Sequence, residues 1–156
     1  MFWCLRRIAW AGSVALTIVS LVGCGSSSAD APATSSSTKR WVAAPESKAT
    51  PNPVAPTPEN MKEAQALFKE NCAGCHNENG DGKGPASVVL PRKAANFTDA
   101  VTMATMTDGE LFWKMSNGRA PMPAWADSFT VNQRWQLVNY IRAFSSPNGQ
   151  ATVAAK

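Results

Sequence analysis

The chain has 156 residues, enough for one domain with tails. Its net charge of +4 is carried outside the region able to fold: residues 59–147 hold nine Lys+Arg against nine Asp+Glu. A nucleic-acid-binding reading, which needs basic residues clustered on a folded face, is therefore excluded.

In chain order, residues 1–23 read as a targeting segment. Arg6 and Arg7 precede an uncharged apolar run from Ile8 to Val22, shorter than the roughly 20 residues of a membrane span. The run ends in Leu21-Val22-Gly23-Cys24, which resembles the lipobox of bacterial lipoproteins. The resemblance implies cleavage before Cys24, lipidation of its thiol, and a protein held on a membrane of the cell envelope, periplasmic or on an outer face. An ordinary signal peptide or an uncleaved helix is the alternative. Residues 24–58 show no apolar periodicity, two Ser triplets and six prolines, the composition of a disordered tether. As a coil it would span roughly 30 Å. Residues 148–156 read as a flexible tail.

Residues 59–147 form the candidate domain, and three helices are predicted in it. The first has Thr57 as N-cap and Pro58 at N1 and runs to about Asn71. The second follows the capping box Thr107-Asp108-Gly109-Glu110 to about Ser116. The third follows Thr130-Val131-Asn132-Gln133 and ends near Ser145, with an apolar stripe of Trp135, Leu137, Val138, Tyr140, Ile141 and Phe144. Residues 77–104 between them are rich in Gly and polar residues, with Val88-Val89-Leu90 as the single apolar cluster. A gap so long argues against a compact domain unless a ligand completes the core. No strand is predicted, so the fold class is all-α.

Cys72-Ala73-Gly74-Cys75-His76 supplies such a ligand. C-x-x-C-H reads as a c-type haem attachment site. Two thiols three positions apart on a helical turn share one face, and the next residue projects an imidazole under the iron. The rivals are weaker. Structural zinc takes four Cys or His ligands, and three remain once Cys4 and Cys24 are set aside. A redox dithiol would sit beside a βαβ pattern, which is missing. His76 is the one histidine of the chain, so a second axial ligand would be a methionine. Met103, Met106, Met115 and Met122 are the candidates. Met115 has the helical spacing of a core residue, whereas Met122, between Pro121 and Pro123, has the rigid extended backbone that a weak thioether ligand needs. Met122 is the preferred choice.

The domain resembles class I monohaem cytochromes c. Phe68 four before the first Cys, the Cys72–His76 motif, Gly82-Lys83-Gly84-Pro85, Asn117-Gly118 with Met122-Pro123, and Leu137-Val138-Asn139-Tyr140-Ile141 carry the resemblance. It implies about three main helices around one haem c bound through Cys72 and Cys75, iron ligated by His76 and Met122, and Pro85 offering its carbonyl to the imidazole. Ala64 departs from the family's frequent Gly at the crossing of first and last helices, where a slightly wider crossing is expected. Single-electron transfer, without catalysis of its own, is the implied activity. The implied partners are redox proteins: a quinol-oxidising complex, a terminal oxidase or another cytochrome. The lipid anchor and the Gly-Asp-Gly-Lys-Gly-Pro run also resemble monohaem lipoprotein subunits of alternative complex III. A haem enzyme or gas sensor is the other class, and either needs an open sixth position on the iron.

Overall fold

The capping signals start the three longer helices where expected. In this computed structural model, which describes residues 40–147, Thr57 caps α1 (Pro58–Asn71) by accepting from the Asn60 N–H at 3.3 Å. A one-turn α2 (Ala73–His76) follows directly, and α3 (Ala100–Ala104) comes later in the chain. Thr107 and Glu110 close a reciprocal capping box on α4 (Asp108–Asn117), and Thr130 and Gln133 do the same on α5 (Val131–Ala143). Each box satisfies two amides that the first turn of a helix leaves without partners. There is no strand among the described residues, so the fold is all-α, as the sequence implies.

The core forms where α1 crosses α5. Ala64 is fully buried there, and Phe68 meets Tyr140 and Phe144 with ring centroids 5.3 and 5.2 Å apart. Leu137 and Val138 of the α5 stripe are also fully buried. On its other side α5 packs on α4 through Phe112 stacked on Trp135 at 4.0 Å. The Arg134 guanidinium lies 4.8 Å from the Phe112 ring centre and donates to the Ser116 hydroxyl. Arg142 donates to Asp108 and to the Met103 carbonyl, both at 2.7 Å, tying α5 to the junction of α3 and α4.

Two segments differ from the sequence-based expectation. The gap 77–104 is not featureless: Pro85–Val89 make a 3-10 turn, and Asp99 caps α3 by accepting from the Val101 and Thr102 amides. A five-residue helix with two β-branched residues gives no periodic signal, so only its cap could announce it. Val88 and Val89, the apolar cluster of that gap, are 85% and 80% exposed and add nothing to the core.

The second difference concerns residues 40–57, whose composition places them in the tether. They form a packed strap across α4 and α5. Ala43 is buried, Pro45–Ala49 make a 3-10 turn, and the Ser47 carbonyl lies so close over Gly109 that a Cβ there would collide with it. Lys48 pairs with Glu110 at 3.7 Å. Asn52 donates to the Trp135 carbonyl at 3.1 Å and to the Asn139 side chain at 2.9 Å, and Asn139 donates to the Val54 carbonyl at 2.8 Å. Side-chain amides and one glycine hold the strap, so a reading based on apolar periodicity misses it. The rest of the expected tether, the targeting segment, Cys24 and the tail lie outside the described residues. Among the described residues no helix is long and apolar enough to cross a membrane.

Candidate functional site

The site grows from the end of α1. The Cys72 N–H bonds the Phe68 carbonyl at 2.8 Å, and the Cys72 carbonyl accepts from Cys75 at 3.2 Å and His76 at 2.9 Å. Cys72, Cys75 and His76 therefore share one helical turn. Asn77 stops that turn at φ 65° and ψ 154°, a strained backbone conformation that L side chains rarely adopt. The chain then folds back, with the Gly82 N–H on the His76 carbonyl at 2.9 Å and Gly84 on Cys75 at 3.1 Å. Gly82 has φ 76°, and a Cβ on it would stand 2.7 Å from the Ala94 carbonyl oxygen. Only glycine lets residues 94–95 pass that close. Asp81 knits the return loop by accepting from the Asn77 side chain at 3.0 Å and the Lys83 N–H at 2.9 Å. The Asn77 bond, with Lys83 behind it, holds the Asp81 carboxyl below the usual carboxylate range.

The imidazole of His76 is oriented from two sides. Its ring stacks on Phe97 at 4.6 Å and 19°, and Nδ1 lies 3.1 Å from the Ala95 carbonyl oxygen. A carbonyl can only accept, so Nδ1 carries the proton and Nε2 keeps a lone pair for a metal. Burial pushes the His76 pKa below its ordinary value, with the Ala95 bond opposing, so the neutral, ligating form is favoured. Pro85, expected to offer this carbonyl, does not. Gly84 is bonded to Cys75, so Pro85 leaves along α2 into the 3-10 turn, and the backbone that returns against His76 is that of residues 94–95. Sequence reasoning missed Ala95 and Phe97. Gly82, whose missing Cβ makes room for that return, was the available signal.

No disulfide joins Cys72 and Cys75. Burial, with the neighbouring Cys75 adding to it, pushes the Cys72 pKa up to about 12. An exchange-active dithiol needs the opposite, a depressed thiol pKa in an electropositive setting. No group of three His, Cys, Asp or Glu capable of holding a bare metal ion occurs among the described residues. A haem fits this donor set: two thiols and one imidazole on a single turn, with the imidazole stacked on Phe97.

The four methionines separate by surroundings. Met103 and Met115 are buried in the core, and the Met106 sulfur accepts from the Lys114 ammonium at 3.3 Å. Met122 is half-buried against the core on the loop after α4. That loop is closely held. Arg119 and Met122 exchange two backbone hydrogen bonds, each 2.9 Å, and the Trp125 N–H bonds the Met115 carbonyl at 3.1 Å. Gly118, at φ 61°, leaves no room for a Cβ against the Pro123 backbone. No hydrogen bond or ring contact joins Met122 to the His76 turn among the described residues.

Comparison with known proteins bears on the family and the fold. The family model described as cytochrome c oxidase, cbb3-type, subunit III matches residues 59–141, more than half of the chain. A solved chain of the Kuenenia stuttgartiensis reducing HAO-like protein complex is similar in fold, with a TM-score of 0.51 and 22% identity over 60% of this chain. The match spans 47% of that structure's chain, about half its length. No curated protein matches in sequence. A cytochrome c domain carries covalently bound haem c and transfers electrons; when bound, the haem supplies a one-electron ferric/ferrous couple. With the C-x-x-C-H turn, the oriented imidazole and a family match running from the start of α1 into α5, the chain belongs to the cytochrome c family described as cytochrome c oxidase, cbb3-type, subunit III.

Proposed function

We propose that the protein carries a single haem, bound through Cys72 and Cys75 with His76 and Met122 as axial ligands, and passes single electrons between respiratory-chain proteins from a lipid anchor at Cys24. The observation that carries this reading is the His76–Ala95 contact at 3.1 Å, which commits Nδ1 and leaves Nε2 of the chain's one histidine for iron. One C-x-x-C-H motif supports one haem. Met122 is favoured as sixth ligand because the other three methionines after the motif are enclosed in the core or engaged by Lys114. Thioether ligation raises the reduction potential relative to two imidazoles, which suits a carrier late in an electron-transfer chain.

His76 is held rather than reactive. The Ala95 carbonyl fixes its tautomer, and Phe97 fixes the plane of its ring. The partners are redox proteins of the cell envelope, met either as a tethered shuttle or as a fixed neighbour in a quinol-oxidising complex such as alternative complex III. The similar solved chain comes from a protein complex, which is compatible with a fixed place. Transient contacts of this kind are small, below about 1,200 Å² in total.

Carbon monoxide addition to the ferrous full-length protein tests the ligation. A six-coordinate carrier leaves the spectrum unchanged over minutes. Rapid formation of a carbonyl adduct would mean an open position and the enzyme or gas-sensor class instead.

A further inference from the structure

The strap formed by residues 40–57 begins against the loop that bears Met122. Trp41, half-buried at its start, has the Arg119 guanidinium 5.7 Å and the Lys114 ammonium 6.0 Å from its ring centre. Both cations belong to the machinery of that loop. Arg119 is the residue that exchanges two backbone hydrogen bonds with Met122. Lys114 lies in the last turn of α4, whose Met115 and Ser116 carbonyls receive the Trp125 and Ala126 amides at the loop's far end. Trp41 thus rests on the side chains of Arg119, at the near end of the Met122 turn, and of Lys114, one turn earlier on α4. Behind it the strap is fixed to α4 at Gly109 and Glu110 and to α5 at Trp135 and Asn139.

We propose that Trp41 is a positioning residue for Met122: through Arg119 and Lys114, the strap holds the methionine loop closed over the sixth position. This rests on the reading of Met122 as axial ligand. A thioether binds iron weakly and cannot order its own loop, so a preorganised loop sets how readily another ligand displaces it. A cation over an indole face is attracted even at partly exposed sites. Loss of the Trp41 contacts should therefore open the loop without unfolding the domain.

Exogenous imidazole gives the test, as a competitor for the sixth position of the ferric full-length holoprotein, followed by loss of the thioether-to-iron charge-transfer band. Trp41→Ala should raise imidazole affinity about fivefold, and Trp41→Phe, which keeps an aromatic face, should restore most of the wild-type value. Gln136→Ala is the control for general loosening, since Gln136 bonds Asn60 and Glu63 of α1 at 2.9 Å and touches no part of the loop. It should lower the denaturation midpoint and leave imidazole affinity alone. Unchanged affinity in Trp41→Ala, or an equal rise in Gln136→Ala, would overturn the inference and leave Met122 ligation standing. A wild-type protein without the charge-transfer band would remove Met122 ligation itself, and this inference with it.

Discussion

At the scale of single residues, the decisive contact was only half legible. C-x-x-C-H announces itself because the chemistry requires those side chains at that spacing. The acceptor for His76 does not, because it is a backbone carbonyl and any residue could provide it. Pro85 looked the part by position, whereas the backbone places Ala95 there. The glycines record the reason: at Gly82 a Cβ would stand 2.7 Å from the Ala94 carbonyl oxygen. Gly82→Ala should cost about 1–3 kcal/mol, from strain at φ 76° together with that clash, read as a lowered denaturation midpoint. Asp81 gives a pH-dependent counterpart. Its folded pKa lies below the ordinary carboxylate value, so the unfolded chain binds the proton more readily in acid. The stability it contributes is present above that value and lost as pH falls through the lower, folded one. The gap in denaturation midpoint between wild type and Asp81→Asn should be open near neutral pH and narrow as acid takes the solution through the depressed range of the folded carboxyl.

At the scale of elements, capping residues were better guides than apolar periodicity. Thr57, Thr107 and Thr130 marked the starts of α1, α4 and α5, and the Phe68–Tyr140 contact between first and last helices follows from the stripe on α5. The strap was read as tether because its partners are polar. Asn52 satisfies the Trp135 carbonyl and Asn139, and hydropathy cannot register such a contact. The crossing of α1 and α5 is sealed at Ala64, which is fully buried. Ala64→Leu would drive a bulky side chain into that seam and should cost about 1–3 kcal/mol by overpacking. Chemical denaturation of the holoprotein measures it; a neutral result would mean that the helices can separate to accept three more carbons.

At the scale of the whole molecule, the attachment turn α2 lies between the end of α1 and the 3-10 turn Pro85–Val89, at one end of the α1–α5 crossing. The loops between the helices are rich in glycine and polar groups, with Phe97 and Phe129 as their buried apolar anchors. A domain of about 90–110 residues buries a modest share of its surface, so a large apolar cofactor adds a substantial fraction of the core. The haem-free protein, prepared by replacing Cys72 and Cys75 with Ser, should accordingly lose most of its helical circular dichroism. Native-like helicity would show that polypeptide packing alone suffices.

Axial ligation decides between carrier and catalyst, and the ferric charge-transfer band reads it most directly. If His76 and Met122 hold the iron, the wild-type protein shows the thioether-to-iron band, Met122→Ala abolishes it, and Met115→Ala, a change in the core, retains it. A band that survives Met122→Ala and disappears with Met115→Ala would contradict the assignment and move the sixth ligand onto α4.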